Sequence, residues 1–161
     1  MRRAVIAVFG LFILATAGAQ AQVPQVRQYA AKFVCGNAGK AEVLGYNFAP
    51  GSYYTVINVH YPALSGAIDI RKKFALANPN ELPGKISPWF IASLKTDEAM
   101  RVDCGSIYKH LGIVPGTFID GFAVLQIPST RELDVVGVYT ANPGTGVSTI
   151  HMERVAGRLT Q

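Results

Sequence analysis

Few residues in this chain have side chains that could do chemistry: three histidines, His60, His110 and His151, two cysteines, Cys35 and Cys104, and ten carboxylates. An exported protein could use histidine with methionine to hold copper, because imidazole and thioether are suitable ligands. Met100, Met152, Asp103 and Glu153 are the available company. No two histidines stand in an HxH pattern, however, and His151 and Met152 are neighbours on a predicted strand, where adjacent side chains point to opposite faces. Solvated histidines and no metal are expected, with His60, His110 and His151 the candidates for a copper or zinc site should one exist.

The carboxylates Glu42, Asp69, Glu81, Asp97, Glu98, Asp103, Asp120, Glu132, Asp134 and Glu153 fall mostly at turns or at outward strand positions. There Asp and Glu cap, solvate and discourage edge pairing. Nothing in their spacing fixes a general acid against a base, so no catalytic residue is assigned and a small hydrolase is the weakest reading. Gly144-Thr145-Gly146 begins like a dinucleotide loop, but Thr149 replaces the third glycine and the segment joins two strands. No cofactor is expected. Aromatic side chains are the better binding candidates. Tyr46, Phe48, Tyr53 and Tyr54 surround Pro50-Gly51, and Trp89-Phe90 follow Pro88. Tyr46, Phe48, Tyr54 and Trp89 could stack on a sugar or peptide, since aromatic rings combine large area with a polar handle. Tyr53 and Phe90 read as core.

The elements that must position these groups begin after a leader. Arg2 and Arg3 precede an uncharged apolar run, Ala4 to Leu14, and an Ala19-Gln20-Ala21 pattern. That is the organisation of a secretory signal peptide over residues 1–21, with cleavage after Ala19 the near alternative. An anchoring helix needs about 20 apolar residues; Ala4 to Ala19 supplies 16. Cleavage after Ala21 leaves 140 residues, 22–161, as a single domain and lowers the formal net charge from +5 to +3. Export to the periplasm or medium disfavours nucleic acid as a partner, and no membrane span remains. Arg71-Lys72-Lys73 is the only basic run; on a strand those three cannot share one face, so a solvated sheet surface is expected.

Half of the residues are hydrophobic and only 16% are charged, against roughly 25% in ordinary domains. The hydrophobic period is two rather than 3.6. Strands are expected at Tyr29–Cys35, Tyr53–Tyr61, Ile68–Leu76, Trp89–Leu94, Met100–Cys104, Phe118–Ile127, Leu133–Thr140 and Val147–Val155. Within the last, Ile150 and Met152 are expected to face a core. Asn78–Pro88 reads as a surface crossover, 96–98 as a tight turn or one helical turn, and Ile107–Leu111 as a short helix stopped by Gly112 and Pro115. The sum is an all-β, antiparallel β-sandwich of immunoglobulin-like size, with seven to eight strands and one short helical turn.

Cys35 and Cys104, an even pair in an exported chain, read as a disulfide closing a 70-residue loop, worth about 4 kcal/mol in the chain-entropy model. Buried free thiols, a catalytic thiol or a metal ligand are the alternatives.

The segments 31–36 (AKFVCG), 54–60 (YTVINVH), 71–76 (RKKFAL), 102–104 (VDC), 133–141 (LDVVGVYTA) and 153–155 (ERV) together resemble a group of short exported bacterial proteins held to be β-sandwiches. The resemblance covers nearly all of the mature chain. It implies the fold and the paired cysteines, and brings no activity and no site residues. The resulting expectation is an exported, non-enzymatic binding or structural module, meeting a protein or glycan at the cell envelope.

Overall fold

A computed structural model describes residues 25–39, 48–144 and 148–160; the expected leader and Tyr46 lie outside them. Ten antiparallel strands and one helix follow in the order β1 (Val26–Ala38), β2 (Gly51–His60), β3 (Ala67–Ala77), β4 (Pro83–Ile86), β5 (Phe90–Lys95), β6 (Ala99–Asp103), α1 (Cys104–Leu111), β7 (Ile119–Pro128), β8 (Asp134–Asn142), β9 (Thr149–Arg154) and β10 (Arg158–Thr160). Beyond the expected strands, β4 lies inside the segment read as a crossover, and β10 is a three-residue strand added to β1.

The sheet runs β4-β3-β7-β1-β2-β8-β9, with β5 on β3, β6 on β2 and β10 on β1. β1 holds its two halves together. Up to Cys35 it pairs with β7, and from Gly36 to Ala38 it pairs with β2. Gly36 sits at the changeover with φ 93°, and a Cβ there would stand 2.2 Å from the carbonyl oxygen of Thr117. Only glycine supplies that φ without steric cost.

Alternation along each strand sends one face into a single core. Tyr29, Ala31, Phe33 and Cys35 of β1 meet Ile68, Ile70 and Phe74 of β3 and Ala123, Leu125 and Ile127 of β7. Ile57 and Val59 of β2, Val102 of β6 and Val135 of β8 enter the same cluster from the other half. α1 closes one end with Ile107, Tyr108 and Leu111. Asp103 caps it by accepting the Ser106 N–H at 2.9 Å, and Gly112 ends it in the left-handed conformation at φ 63°. That backbone hydrogen bond is the main reason the Asp103 carboxyl titrates below the ordinary carboxylate range. Asp97, at φ 56°, makes 96–98 a turn rather than a helical turn.

The expectation for β9 fails. Ile150 and Met152 are 70% and 68% exposed, and every residue of the strand is exposed. A period of two specifies two faces, but burial needs a second layer over one of them. Among the described residues β9 pairs only with β8, at the edge of the sheet, and no layer of them covers it.

One junction decides how the halves meet. β8 serves one edge of β2 along its length, while the other edge is served by β1 at Ser52 and Tyr53 and by β6 from Val56 onward. Between these partners stands Thr55, fully buried. Its N–H donates to Cys104 Sγ at 3.2 Å, and its hydroxyl donates to Val34 O and accepts from Val34 N–H, both at 2.9 Å. Cys104 is bonded to Cys35, with the two Cα atoms 5.7 Å apart.

Thr55→Val keeps the shape and removes both hydroxyl bonds. It should lower unfolding stability by about 1–3 kcal/mol, the cost of stranding a buried backbone donor. Urea unfolding of the oxidised protein measures this, with Thr55→Ser as the control that retains most of the stability. Tyr61, next after β2, is the opposite case. Its hydroxyl is buried with no hydrogen-bond partner among the described residues. Tyr61→Phe should therefore leave the midpoint unchanged or raise it; a loss above about 1 kcal/mol would show a missing partner.

Candidate functional site

The three histidines stand in three places. His60, at the end of β2, has Nδ1 3.4 Å from Asp134 Oδ2 and Nε2 3.7 Å from Asp97 Oδ1. His110, in the last turn of α1, lies between the rings of Phe90 and Phe74, at centroid distances of 3.9 and 5.6 Å. His151, on β9, stacks beside Tyr139 at 6.1 Å. Met100 packs against the core, and Met152 is on the face of β9 opposite His151. No group of three or more His, Cys, Asp or Glu able to hold a metal ion occurs among the described residues.

Most carboxylates are engaged in local structure. Asp120 pairs with Lys32, Glu132 with Arg27 and Asp134 with Arg154; Asp69 accepts from Ser93 and Glu98 from the Lys95 N–H. Glu153 accepts from the Tyr139 hydroxyl at 2.8 Å. Burial and that carboxylate both push the Tyr139 phenol up, so it remains a proton donor near neutrality.

Of the candidate aromatics that are described, Phe48 and Tyr54 line one cavity of about 190 Å³ together with Tyr53, Tyr139 and His151, while Trp89 stands apart. Phe48 forms a cluster with Tyr53 and Phe118, at centroid distances of 5.9 and 5.1 Å. Tyr54, 57% exposed, lies on the outer face of β2. There the pairs Tyr54↔Thr140, Val56↔Val138, Thr140↔Ile150 and Val138↔Met152 spread an uncovered apolar surface across β2, β8 and β9. A groove of about 410 Å³ borders the disulfide, lined by Asn37, Tyr54, Asp103, Tyr108 and neighbours. Three of its polar side chains have partners: Asn37 Oδ1 accepts from Ser52, Asp103 caps α1, and Tyr108 donates to Thr117 O at 2.8 Å.

Trp89 belongs to the opposite surface, the outer face of β5, β3, β7 and β1. Its ring lies under two cations, with Lys73 Nζ 4.6 Å and Arg71 Cζ 4.7 Å from the ring centroid. As expected, Arg71-Lys72-Lys73 do not share one face, and Arg71 is exposed on an open sheet surface; the Trp89 ring against Arg71 and Lys73 is the addition. Arg71 and Lys73, two residues apart, share one face, while Lys72 stands on the other with Ile70 and Phe74. Lys32 lies over Phe122 on the same outer surface, at 5.3 Å. Alternation in β3 was a sufficient signal for the shared face. The ring above it comes from the pairing of β5 with β3, which no local pattern encodes.

A scan against protein-family models matches none, and comparison with curated proteins and with solved structures finds no match.

His110 gives the site region a pH signature. Burial lowers its pKa from the ordinary value near 6.5, and the charges of Lys72 and Lys109 lower it further. The unfolded chain then takes up the proton first. The stability His110 contributes is complete above about pH 6.5 and is lost as pH falls below it. Unfolding free energies measured from pH 7.5 to 5 should decline less steeply in His110→Gln than in the parent; parallel slopes would show that His110 titrates normally.

Proposed function

We propose that this chain is an exported, non-enzymatic binding module of the cell envelope, working in the periplasm or outside the cell. One observation carries this reading. Large non-polar side chains are displayed on two open sheet faces, Tyr54, Ile150 and Met152 on one and Ile91, Phe122 and Trp89 on the other. Extended exposed surfaces of this kind mark recognition of a partner rather than an enclosed reaction. The leader pattern of residues 1–21 and the Cys35–Cys104 disulfide support export, since disulfides persist in oxidising compartments. No helix among the described residues is long and apolar enough to cross a membrane.

The test expresses the full chain with a carboxyl-terminal tag in a bacterium that has a periplasm. Osmotic shock should release a protein whose intact mass corresponds to a start at Gln22, with no alkylatable thiol before reduction. This protein should co-sediment saturably with isolated cell envelopes. A full-length cytoplasmic product with two free thiols would remove export. Turnover of ester, glycoside or peptide substrates would replace the module by an enzyme. Tight one-to-one binding of Cu²⁺ or Zn²⁺, lost in His60→Ala, His110→Ala or His151→Ala, would make it a metal-binding protein.

A further inference from the structure

Strand register arranges the outer face of β5, β3, β7 and β1 into rows. Arg71 stands opposite Gln126, and Gln126 opposite Gln28. In the next row Lys73 stands opposite Val124, and Val124 opposite Ala30. In the third, Ala75 stands opposite Phe122, and Phe122 opposite Lys32. Trp89 precedes Phe90, the residue paired with Lys72, so its ring falls at the β5 margin beside Lys73. The surface is thus a shallow floor of small side chains, Ala30, Ala75 and Val124, between two rings. Trp89 bounds one side and Phe122, 43% exposed, the other. Two glutamine amides lie along the Arg71 row, joined by a 3.0 Å hydrogen bond from Gln126 to Gln28.

The charges on this floor are unbalanced. On this face Lys32 reaches a carboxylate, Asp120, whereas among the described residues neither Arg71 nor Lys73 has one within 4.0 Å, a condition they share with several other surface cations such as Lys95 and Arg158. Asp69, the acidic residue on the same face of β3, is held by Ser93. Two like charges on one strand face, about 7 Å apart at two residues' rise, repel each other. The Trp89 ring holds both through its quadrupole. That contact restrains two long side chains in advance, so an arriving anion has less entropy to lose in ordering them.

We propose that this face is a binding platform for an acidic polysaccharide, a chain of sugar rings bearing carboxylates. The inference rests on the binding-module reading and supplies its ligand class. Each part of the surface matches one part of such a chain. Aromatic rings accept the C–H faces of sugar rings, and a flat floor of small side chains lets a ribbon of rings lie close. Glutamine amides donate to and accept from hydroxyls. The Arg71 fork matches a carboxylate in two-point geometry, with Lys73 as a second point charge.

The chain's only tryptophan is in the site, so its emission reports occupancy directly. The oxidised mature protein is titrated with oligogalacturonate. Neutral maltooligosaccharide of equal length, a polyglutamate peptide and single-stranded DNA serve as comparison ligands. Oligogalacturonate should change the indole emission saturably, and binding should weaken as salt is raised. Arg71→Ala and Lys73→Ala should each weaken it about tenfold, the scale of one charge-assisted hydrogen bond. Gln126→Ala should weaken it several-fold. As surface changes, all three should leave the unfolding midpoint nearly unchanged. Trp89→Phe, followed by calorimetry, should retain weakened binding.

Absence of oligogalacturonate binding by the folded protein would overturn the proposal, as would equal binding of the maltooligosaccharide. Tighter binding of polyglutamate or DNA would assign the face to another polymer. If envelope co-sedimentation persists unchanged in the Arg71→Ala/Lys73→Ala double variant, the module reading stands and the platform fails. If co-sedimentation is also absent from the parent protein, both fail.

Discussion

The fold depends on how a buried threonine is satisfied where β2 exchanges one neighbour for another. A backbone donor in a protein interior must be paired, or it costs about 1–3 kcal/mol. At Thr55 the ladder with β1 has ended and the ladder with β6 begins one residue later. Cys104 Sγ accepts the stranded N–H, and the Thr55 hydroxyl takes both Val34 groups. Because Cys104 is tied to Cys35 and begins α1, the same few atoms fix the crossing of β1, the end of β6 and the helix that caps the core. A disulfide in this position does more than limit the unfolded chain. It supplies a hydrogen-bond acceptor where a strand cannot.

That junction also determines what is left open. Since β1 belongs to both halves and α1 covers only one end, no element among the described residues lies across either outer sheet face. The two faces then differ by composition alone. On β2, β8 and β9 the outward positions are Tyr54, Val56, Val138, Ile150 and Met152. On β5, β3, β7 and β1 the outward residues combine rings, amides and cations. The groove beside the disulfide is walled in part by side chains already bonded to their neighbours.

Local alternation was enough to read β3, because its two faces differ sharply: Ile68, Ile70 and Phe74 are buried, while Asp69 and Arg71 are exposed. The helix end at Gly112 was equally legible, as left-handed geometry selects glycine there. The cysteine pairing followed from number and compartment. Reading β9 failed at Ile150 and Met152, since alternation reports sidedness and not coverage, and coverage is tertiary. His110 is another such case. Nothing near it in sequence announces that Phe74 and Phe90, brought from β3 and β5, will enclose its ring. In the sequence Trp89 is an isolated aromatic and Arg71 and Lys73 belong to a basic run, and only the β3–β5 register unites them.

A low charge content makes each unpaired charge informative. With 16% charged residues, the chain has little to spend on general solvation of its surface. Most of its described carboxylates have specific tasks: capping α1, pairing with Arg27, Lys32 and Arg154, or accepting from Ser93, the Lys95 N–H and Tyr139. In a surface so sparing, two cations on one strand face that pair with no carboxylate among the described residues and lie against a tryptophan ring contribute little to stability. Repulsion between them and the restraint of two long side chains are both unfavourable. The ring offsets part of that cost, and an anion lying across the platform would offset the remainder.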